Sequence, residues 1–385
     1  MNRRVFCRRM ATLGGALVLA PLIEACGQES PTSSPTVTSR PGATRLPTAT
    51  ATATTLPTAT PEPAATETPT TPPDPTATPA PTDTPDPALA TLALVSTGDR
   101  VAGVRQALEL LGINPVRGRR VLLKPNLNSA DPAPGSTHDD VLRTLLASLS
   151  DMGALAVTIG DRSGMGDTRR VMQQKGIFDL AETFGAQTVV FDELRPGDWS
   201  VMDGDGLHWS RGFPVPKMLL GAECVVQTCN LKTHRFGGHF TLSLKNSVGF
   251  VAGSYQGYNY MTELHGTADQ RRMIAEANTA YRPALIVLDG VEAFVQGGPD
   301  TGTRADTRVI LAGTDRIALD AAGVAILRLW GTTPEVSKGK IFQQEQIARA
   351  VELGLGVDSP GKVRFLTADP ESAAYAARIT DALLA

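Results

Sequence analysis

Cysteine is scarce in this sequence, with four residues in 385. Iron–sulfur proteins hold their clusters with several thiolates at short, regular spacings, and no C-x-x-C pair occurs here. We therefore expect no iron–sulfur cluster. Cys224 and Cys229 share one apolar run, and on an extended strand this gap puts them about 16 Å apart on opposite faces. Because that separation is too large for a disulfide, we predict two buried free thiols.

The sequence also lacks an excess of positive charge and several catalytic signatures. Its formal net charge is −3, with both signs mixed along the chain, so it has no basic stripe of the kind that binds nucleic acid. No phosphate-binding loop is present, and the Gly-x-Gly in DRSGMGD (161–167) is too loose to indicate a dinucleotide site. Ser163 lies outside any G-x-S-x-G elbow, which argues against a serine hydrolase.

No apolar run near the start is long enough to cross a membrane. The run at 11–23 is shorter than the span of about 20 residues that crosses a bilayer. It suits an export signal, because it follows the twin arginines Arg3-Arg4. The segment Leu22–Gly27, with the small Ala25 directly before Cys26, resembles a lipoprotein cleavage box. We therefore predict lipidation of Cys26, and an ordinary cleaved signal is the alternative. Residues 1–26 thus predict an exported, extracytoplasmic protein that is anchored to the cell membrane.

Large apolar residues are nearly missing from residues 27–88, which consist mainly of Pro, Thr, Ala and Ser. Such a segment cannot bury enough apolar surface to offset the entropy of ordering it. We predict a disordered stalk, partly in the polyproline II conformation. The remainder, 89–385, is long enough for one large domain, formed as a single body or as two lobes.

Short β-branched runs alternate with helical patterns in this remainder, which predicts an α/β fold. The runs are apolar throughout, as in a mostly parallel sheet with helices on both faces. Two stretches, 193–222 and 236–282, break the alternation and are predicted to form an inserted, lid-like region. The predicted strands are 119–125, 154–160, 186–192, 223–229, 284–290 and 307–313, and the predicted helices are 138–153, 168–185, 315–331 and 341–356.

Charged or amide side chains follow five of the predicted strands, in segments far apart in sequence. Ligands of open parallel sheets sit beyond the carboxyl ends of the strands, so we expect these side chains to line one cleft. Lys232 and His234, with one residue between them, would point to the same side of an extended segment. The predicted catalytic residues are Lys232, His234, Lys245 and Asp161, and the predicted ligand-binding residues are Lys124, Asn126, His138, Asn246 and Asp289.

The three lysines of this set favour an anionic ligand, since they suit a carboxylate or a phosphate. Neighbouring lysines depress each other's pKa, so one of them can accept a proton near neutral pH. A divalent metal is the alternative reading of His138, His234, Asp161 and Asp289, although no HxH or HxxxH pair supports it. The metal and any organic cofactor stay unknown. His239 and His265 are predicted surface or lid residues, and Asp315 and Asp320 fit compensation of a helix dipole.

Several blocks of the chain, in order, resemble those of one known family. They are VLLKPNL (121–127), STHDDVLRTLL (136–146), VTIGDRSG (157–164), NLKTH (230–234), LSLKNSVG (242–249), VLDGVEAFVQGGPDTG (287–302) and VILAGTDRIALDAAG (309–323). Together they resemble the domain-of-unknown-function 362 (DUF362) family over roughly 118–330. The family often accompanies ferredoxin-like modules, whose cysteines this chain lacks. Its Lys-Thr-His block usually follows a proline and an extra lysine, whereas Cys229 and Asn230 stand here.

Three functions remain open at this point. The first is an exported, membrane-tethered enzyme that acts on a small anionic substrate, with or without a cofactor or metal; a twin-arginine route carries folded proteins and so permits a cofactor. The second is a lipoprotein that binds an anionic solute or cell-wall fragment without turnover. The third is a structural surface protein, which predicts that the strand ends do not converge.

Overall fold

The computed structural model describes residues 89–385. The predicted export signal, Cys26 and the predicted stalk at 27–88 lie outside the described residues. Of the helices in the described part, none has the length and hydropathy needed to span a bilayer.

Strands and helices alternate along most of the described chain. The strands are β1 (Ala90–Ser96), β2 (Arg120–Lys124), β3 (Ala156–Asp161), β4 (Gln187–Val190), β5 (Trp199–Met202), β6 (Phe213–Pro216), β7 (Cys224–His234), β8 (His239–Thr241), β9 (Ser254–Tyr255), β10 (Tyr258–Asn259), β11 (Leu285–Gly297), β12 (Gly302–Ala305), β13 (Val309–Gly313) and β14 (Val363–Leu366). The helices are α1 (Arg100–Leu111), α2 (Asp139–Asp151), α3 (Thr168–Gln174), α4 (Ile177–Thr183), α5 (Lys217–Leu220), α6 (Ser243–Asn246), α7 (Tyr260–Gly266), α8 (Gln270–Glu276), α9 (Arg316–Leu329), α10 (Pro334–Ser337), α11 (Glu345–Glu352) and α12 (Pro370–Leu384).

The main sheet has the order β14-β1-β13-β11-β7-β2-β3-β4. Strands β4, β3, β2, β7 and β11 run parallel to one another, and β14 runs parallel to β1. Strand β13 is antiparallel to both of its neighbours. The predicted α/β class with a mostly parallel sheet is confirmed. The antiparallel β13 corrects one expectation, because the residues that follow it, including Asp315, leave the sheet at the opposite edge from the ends of β2, β3 and β7.

Helices cover both faces of the sheet because its strands are apolar on both sides. In β1, Leu92 and Leu94 belong to one core, and Ala93 and Val95 belong to the other. The core of Ala93 is covered by helices α1 to α4, and that of Leu92 by α9, α11 and α12. The two cysteines follow the same alternation: Cys224 lies in the core of Ala93, Cys229 lies in the core of Leu92, and both are buried free thiols as predicted.

A third core holds together the two stretches that break the strand–helix alternation. Trp209 and Phe213 come from the first stretch, and Tyr260 and Met273 come from the second. The Trp209 ring stacks near both Phe213 and Tyr260, and its Nε1 donates to the Met273 carbonyl. The two stretches therefore form one inserted region, packed on the β2 and β7 part of the sheet through Leu122 and Val225.

Helix α2 buries one apolar face, and a histidine caps its first turn. Val141, Leu145 and Leu149 recur at helical spacing and are buried. The cap is His138, whose Nδ1 accepts the Asp140 N–H at 3.1 Å. Thr137 is occupied elsewhere: its hydroxyl accepts the Asn126 N–H at 2.8 Å and fixes the backbone after β2.

Candidate functional site

Side chains from separate segments meet at the carboxyl ends of β2, β3 and β7. A small cavity of about 50 Å³, here called the inner cavity, is lined by Lys124, Asn126, Asp161, Thr241, Lys245 and Asn246, among others. A larger one of about 520 Å³, here called the outer cavity, is lined by Met165, His234, Phe236, Met261, His265 and Pro299, among others. The walls of both include Asn128, Arg162, Gly164, Lys245 and Val248, so the two cavities adjoin, and together they are here called the joined cavities.

The floor of the inner cavity is an ion pair between Lys124 and Asp161, the last residues of β2 and β3. Their Nζ and Oδ1 atoms are 2.5 Å apart, and each side chain is 1% exposed. Burial raises the pKa of the Asp161 carboxyl, and the backbone N–H groups of Leu127 and Arg162 oppose that rise by donating to it. The Lys124 ammonium also donates to the Asn246 Oδ1 at 3.0 Å. The pair thus fixes Asn246 and the chain after both strands.

Gly249 closes over this ion pair and leaves no room for a side chain. A Cβ at this position would lie 2.4 Å from the Asp161 Oδ1 and 2.6 Å from the Lys124 Nζ. We expect Gly249→Ala to lower the free energy of unfolding by about 1–3 kcal/mol, because overpacking forces buried groups to shift. Chemical denaturation measures this change. Gly361→Ala is the control, since a Cβ there meets open space. An equal loss of stability in both variants would contradict the close packing of Gly249 on the ion pair.

Lys232 lies behind the cavity wall rather than in it, which corrects its predicted direct contact with a ligand. The side chain is 0% exposed, and its Nζ donates to the Asn126 Oδ1 at 2.8 Å and to the Gly135 carbonyl. Burial and the nearby charge of Lys245 lower the pKa of Lys232 to about 7. Because the Asn126 Oδ1 accepts from Lys232, the Asn126 amide turns its N–H₂ group away from that lysine. Lys232 therefore acts on the inner cavity through Asn126.

Lys245 is the cation most available to a ligand. It lines both cavities and is partly exposed, and among residues 89–385 it has neither an ion-pair partner nor a hydrogen-bond partner. Burial, and then the charge of Arg162, lower the pKa of Lys245 to about 8. The amine therefore exchanges a proton near neutral pH, although the causes are burial and an arginine rather than the neighbouring lysine that the sequence suggested.

His234 supplies a neutral hydrogen-bond donor beside Lys245. Burial, followed by the charge of Lys245, holds the pKa of His234 well below its usual value. Its Nδ1 accepts the Gly238 N–H at 3.3 Å, so the ring proton resides on Nε2. Gly238 also separates this ring from Lys245, since a Cβ on it would lie 2.8 Å from the His234 Nδ1 and 3.1 Å from the Lys245 Cε. Lysine and imidazole thus flank one glycine in the wall of the outer cavity.

Arg162 is a site residue that sequence reasoning missed, although it directly follows Asp161 at a strand end. Its guanidinium is buried without an ion pair and is held by backbone carbonyls, including those of Val251 at 2.8 Å and Val248 at 3.0 Å. Thr241 was missed too: its Oγ1 is buried, lines the inner cavity and has no partner among the described residues. Nothing in the sequence FTLSLKN (240–246) distinguishes a threonine whose hydroxyl lines a cavity from an ordinary strand threonine.

Besides Lys232, two predicted site residues, His138 and Asp289, do not line these cavities. His138 caps α2, as described above. Asp289 is occupied elsewhere, because its Oδ2 accepts the Arg100 Nε at 2.9 Å. Asp315 caps α9 at the opposite edge, as a dipole-compensating residue does. His239 lines a separate cavity of about 360 Å³, together with Arg235 and Glu335, and His234 forms its wall on the side of the outer cavity. His265, predicted as a lid residue, lines the outer cavity.

No group of three or more His, Cys, Asp or Glu side chains in the described part of the chain is arranged to hold a metal ion. The proposed metal set of His138, His234, Asp161 and Asp289 is dispersed, because His138 caps a helix and Asp289 pairs with Arg100. The donors that do meet are ammonium, guanidinium, imidazole and amide groups, which suit an anion better than a cation.

Asp320 supports the segment that carries Lys245, rather than a helix dipole of its own. It lies inside α9, is 0% exposed, and accepts the N–H groups of Ser243 at 2.8 Å and Leu244 at 3.0 Å. These are the first two residues of α6, so the carboxylate caps that short helix. Burial raises the pKa of Asp320 to about 8. The contact fixes where α6 begins and thereby orients Lys245 and Asn246.

Comparisons with known proteins cover the same part of the chain. The family model described as domain of unknown function (DUF362) matches residues 121–325, a span that contains every residue lining the two cavities. The thylakoid-associated protein sll1697 of Synechocystis sp. is 29% identical over 240 residues, which is 60% of this chain and 71% of that protein. The solved lactate racemase apoprotein from Thermoanaerobacterium thermosaccharolyticum is similar with a TM-score of 0.38 and 15% identity, over 77% of this chain and 88% of that one.

Proposed function

The chain belongs to the DUF362 family, a domain of unknown function, and from that premise we propose that it is an enzyme acting on a small anionic substrate in the joined cavities. One observation carries the proposal: Lys245 and Arg162 face the same hollow, and neither has an ion pair with a carboxylate among residues 89–385. The only carboxylate in the described lining is that of Asp161, and Lys124 neutralises it. A cationic hollow of this kind favours an anion.

The chemistry that these groups support is proton transfer to and from a bound anion. With a pKa of about 8, Lys245 is about one-tenth neutral amine at pH 7, so it can accept a proton and return it. Arg162 remains charged and holds the anionic group, while the His234 Nε2–H donates to a substrate oxygen. Asn126 and Thr241 add uncharged donors in the inner cavity. We assign Lys245 as the proton acceptor and His234 as the hydrogen-bond donor.

Export and tethering are part of the same proposal and are supported by sequence features alone. Residues 1–26 direct export, Cys26 carries the lipid, and 27–88 hold the domain away from the membrane. Metabolic labelling of the full chain with a radioactive fatty acid tests this part. Label on the wild type and none on Cys26→Ser supports it, whereas equal labelling contradicts it.

The second candidate is a binding protein without turnover, and the locked state of Asp161 favours it. A general acid or base must have a free face toward its substrate, but the Asp161 oxygens already accept from Lys124, Leu127 and Arg162. Lys245 is then the one group free to transfer protons. The two candidates separate when the full chain is incubated with a panel of small carboxylates and phosphate esters and products are followed by NMR. Turnover that Lys245→Met abolishes supports the enzyme, and saturable binding with no product supports the binding protein.

The affinity for an anion is expected to fall as the pH rises through the pKa of Lys245. Sulfate is a suitable probe because its own charge does not change in this range. Full affinity requires the ammonium form, so binding is strongest below pH 8 and decreases by about tenfold between pH 7 and pH 9. Deprotonation of Lys232, whose pKa is about 7, is expected to lower the affinity by a smaller amount at a lower pH, because Lys232 acts on the ligand through Asn126. Calorimetric titrations between pH 6 and pH 9 measure the profile, and an affinity that rises toward pH 9 would contradict it.

A further inference from the structure

The joined cavities have two chemically different ends. The inner cavity is lined by charged and amide groups and, at about 50 Å³, has room for about three or four water molecules. That is the space of a carboxylate or a similar anionic group. The outer cavity is about ten times larger, and half of its wall residues are apolar or glycine. A plain inorganic anion would fill the first space and leave the second to water.

The apolar part of the outer cavity comes from four separate segments. Met165 follows β3, Phe236 lies in the turn between β7 and β8, Met261 lies on α7, and Pro299 follows β11. Met165 and Phe236 are 39% and 46% exposed, unusual values for large apolar side chains. Isolated exposed apolar residues are common on protein surfaces, but several that converge on one concave site indicate an apolar ligand group.

These side chains are held in place by the same polar groups that line the cavity. The Phe236 ring lies under the Arg235 guanidinium at 4.4 Å and against the edge of the His234 ring at 5.8 Å. The Met165 backbone N–H donates to the Asn128 carbonyl, and its sulfur accepts from the Asn128 side chain at 3.6 Å. These contacts hold Phe236 and the backbone of Met165 in place. The methionine side chains are flexible and can adapt to the shape of a ligand.

We propose that the substrate is an amphiphilic anion, in which one carboxylate or similar group carries an aromatic or branched alkyl part. The anionic group occupies the inner cavity against Lys245 and Arg162, and the apolar part lies in the outer cavity between Met165 and Phe236. This inference rests on the proposed function, because it assumes that the joined cavities bind the substrate. It adds the chemical class of the molecule.

Matched pairs of anions test the inference with the full chain at pH 7. Acetate and phenylacetate carry the same charge, as do methanesulfonate and benzenesulfonate, and each pair differs in one aromatic ring. We expect the aromatic member of at least one pair to bind about tenfold tighter, the gain from burying roughly two methylene equivalents of apolar surface. Isothermal titration calorimetry measures all four.

Variants in the apolar wall separate this inference from the proposed function. Phe236→Ala and Met165→Gln are expected to remove the aromatic advantage, so that the two members of each pair bind within about twofold of each other. Leu155→Ala is the control, because Leu155 is 69% exposed and lies outside both cavities. Equal binding within each pair, or an aromatic advantage that Phe236→Ala leaves intact, overturns the inference while anion binding stands. Absence of binding by all four probes overturns the inference and the proposed function together.

Discussion

Replacing Lys124 by Met is expected to lower the free energy of unfolding by about 3–5 kcal/mol, because it leaves the Asp161 carboxylate buried without its counterion. Both side chains are 1% exposed and 2.5 Å apart, so water cannot replace the lost ammonium. Methionine keeps the length and the apolar stem of the lysine, which limits the effect to the charge. Chemical denaturation at pH 7 measures the difference.

Asp161→Asn in the same background shows whether the charge is responsible. It removes the unpaired carboxylate, and we expect the double variant to regain about 1–3 kcal/mol. Burial raises the pKa of Asp161, and the loss of Lys124 raises it further. The variant should therefore gain stability relative to wild type as the pH falls from that raised pKa toward the usual value of 3.8. Lys340→Met, at an exposed position, is the control. A Lys124→Met protein as stable as this control would show that the pair is not formed.

Lys245→Met is expected to have the largest effect on ligand binding, with sulfate bound about 10–100 times more weakly at pH 7. The ammonium is the one cation in the described lining that is held neither by a carboxylate nor by carbonyl groups. Its removal should not destabilise the fold and should raise the free energy of unfolding by about 0.5–1 kcal/mol, because it ends the burial of an uncompensated charge. Weaker binding together with higher stability is the pattern of a functional residue.

Lys245→Arg is the matched comparison for this prediction. Arginine keeps its charge at pH 9, so we expect sulfate binding by this variant to lose the decrease above pH 8. Calorimetry of the wild type, both variants and Lys340→Met measures the four profiles. Sulfate affinity that is the same in Lys245→Met and in the wild type would remove Lys245 from the site.

The convergence of the strand ends was predictable because parallel strands deliver their last residues to one edge of a sheet. Lys124 and Asp161 end β2 and β3 there, and Lys245 and Asn246 reach the same cavity from α6. The inserted region was predictable from the break in alternation. Its third core forms because the two stretches supply complementary aromatic residues that neither stretch can bury alone.

The errors have equally physical causes. The end of β13 does not join the other strand ends, because the direction of β13 follows from its pairing, which periodicity does not encode. Asp289 lies inside a longer β11 rather than at its end, and its carboxylate pairs with Arg100. Lys232 lies on the same face of β7 as His234 but two residues earlier in the strand, where Asn126 covers its ammonium group. Arg162 was overlooked because its importance comes from the carbonyls that hold it, and these belong to the inserted region.

The most direct test of the shared cationic hollow is a crystal structure of the protein with sulfate at saturating concentration. We expect sulfate to lie within hydrogen-bond distance of the Lys245 Nζ, in the joined cavities that Arg162 and Asn128 also line. Sulfate bound elsewhere on the surface, with only water in the joined cavities, would contradict it.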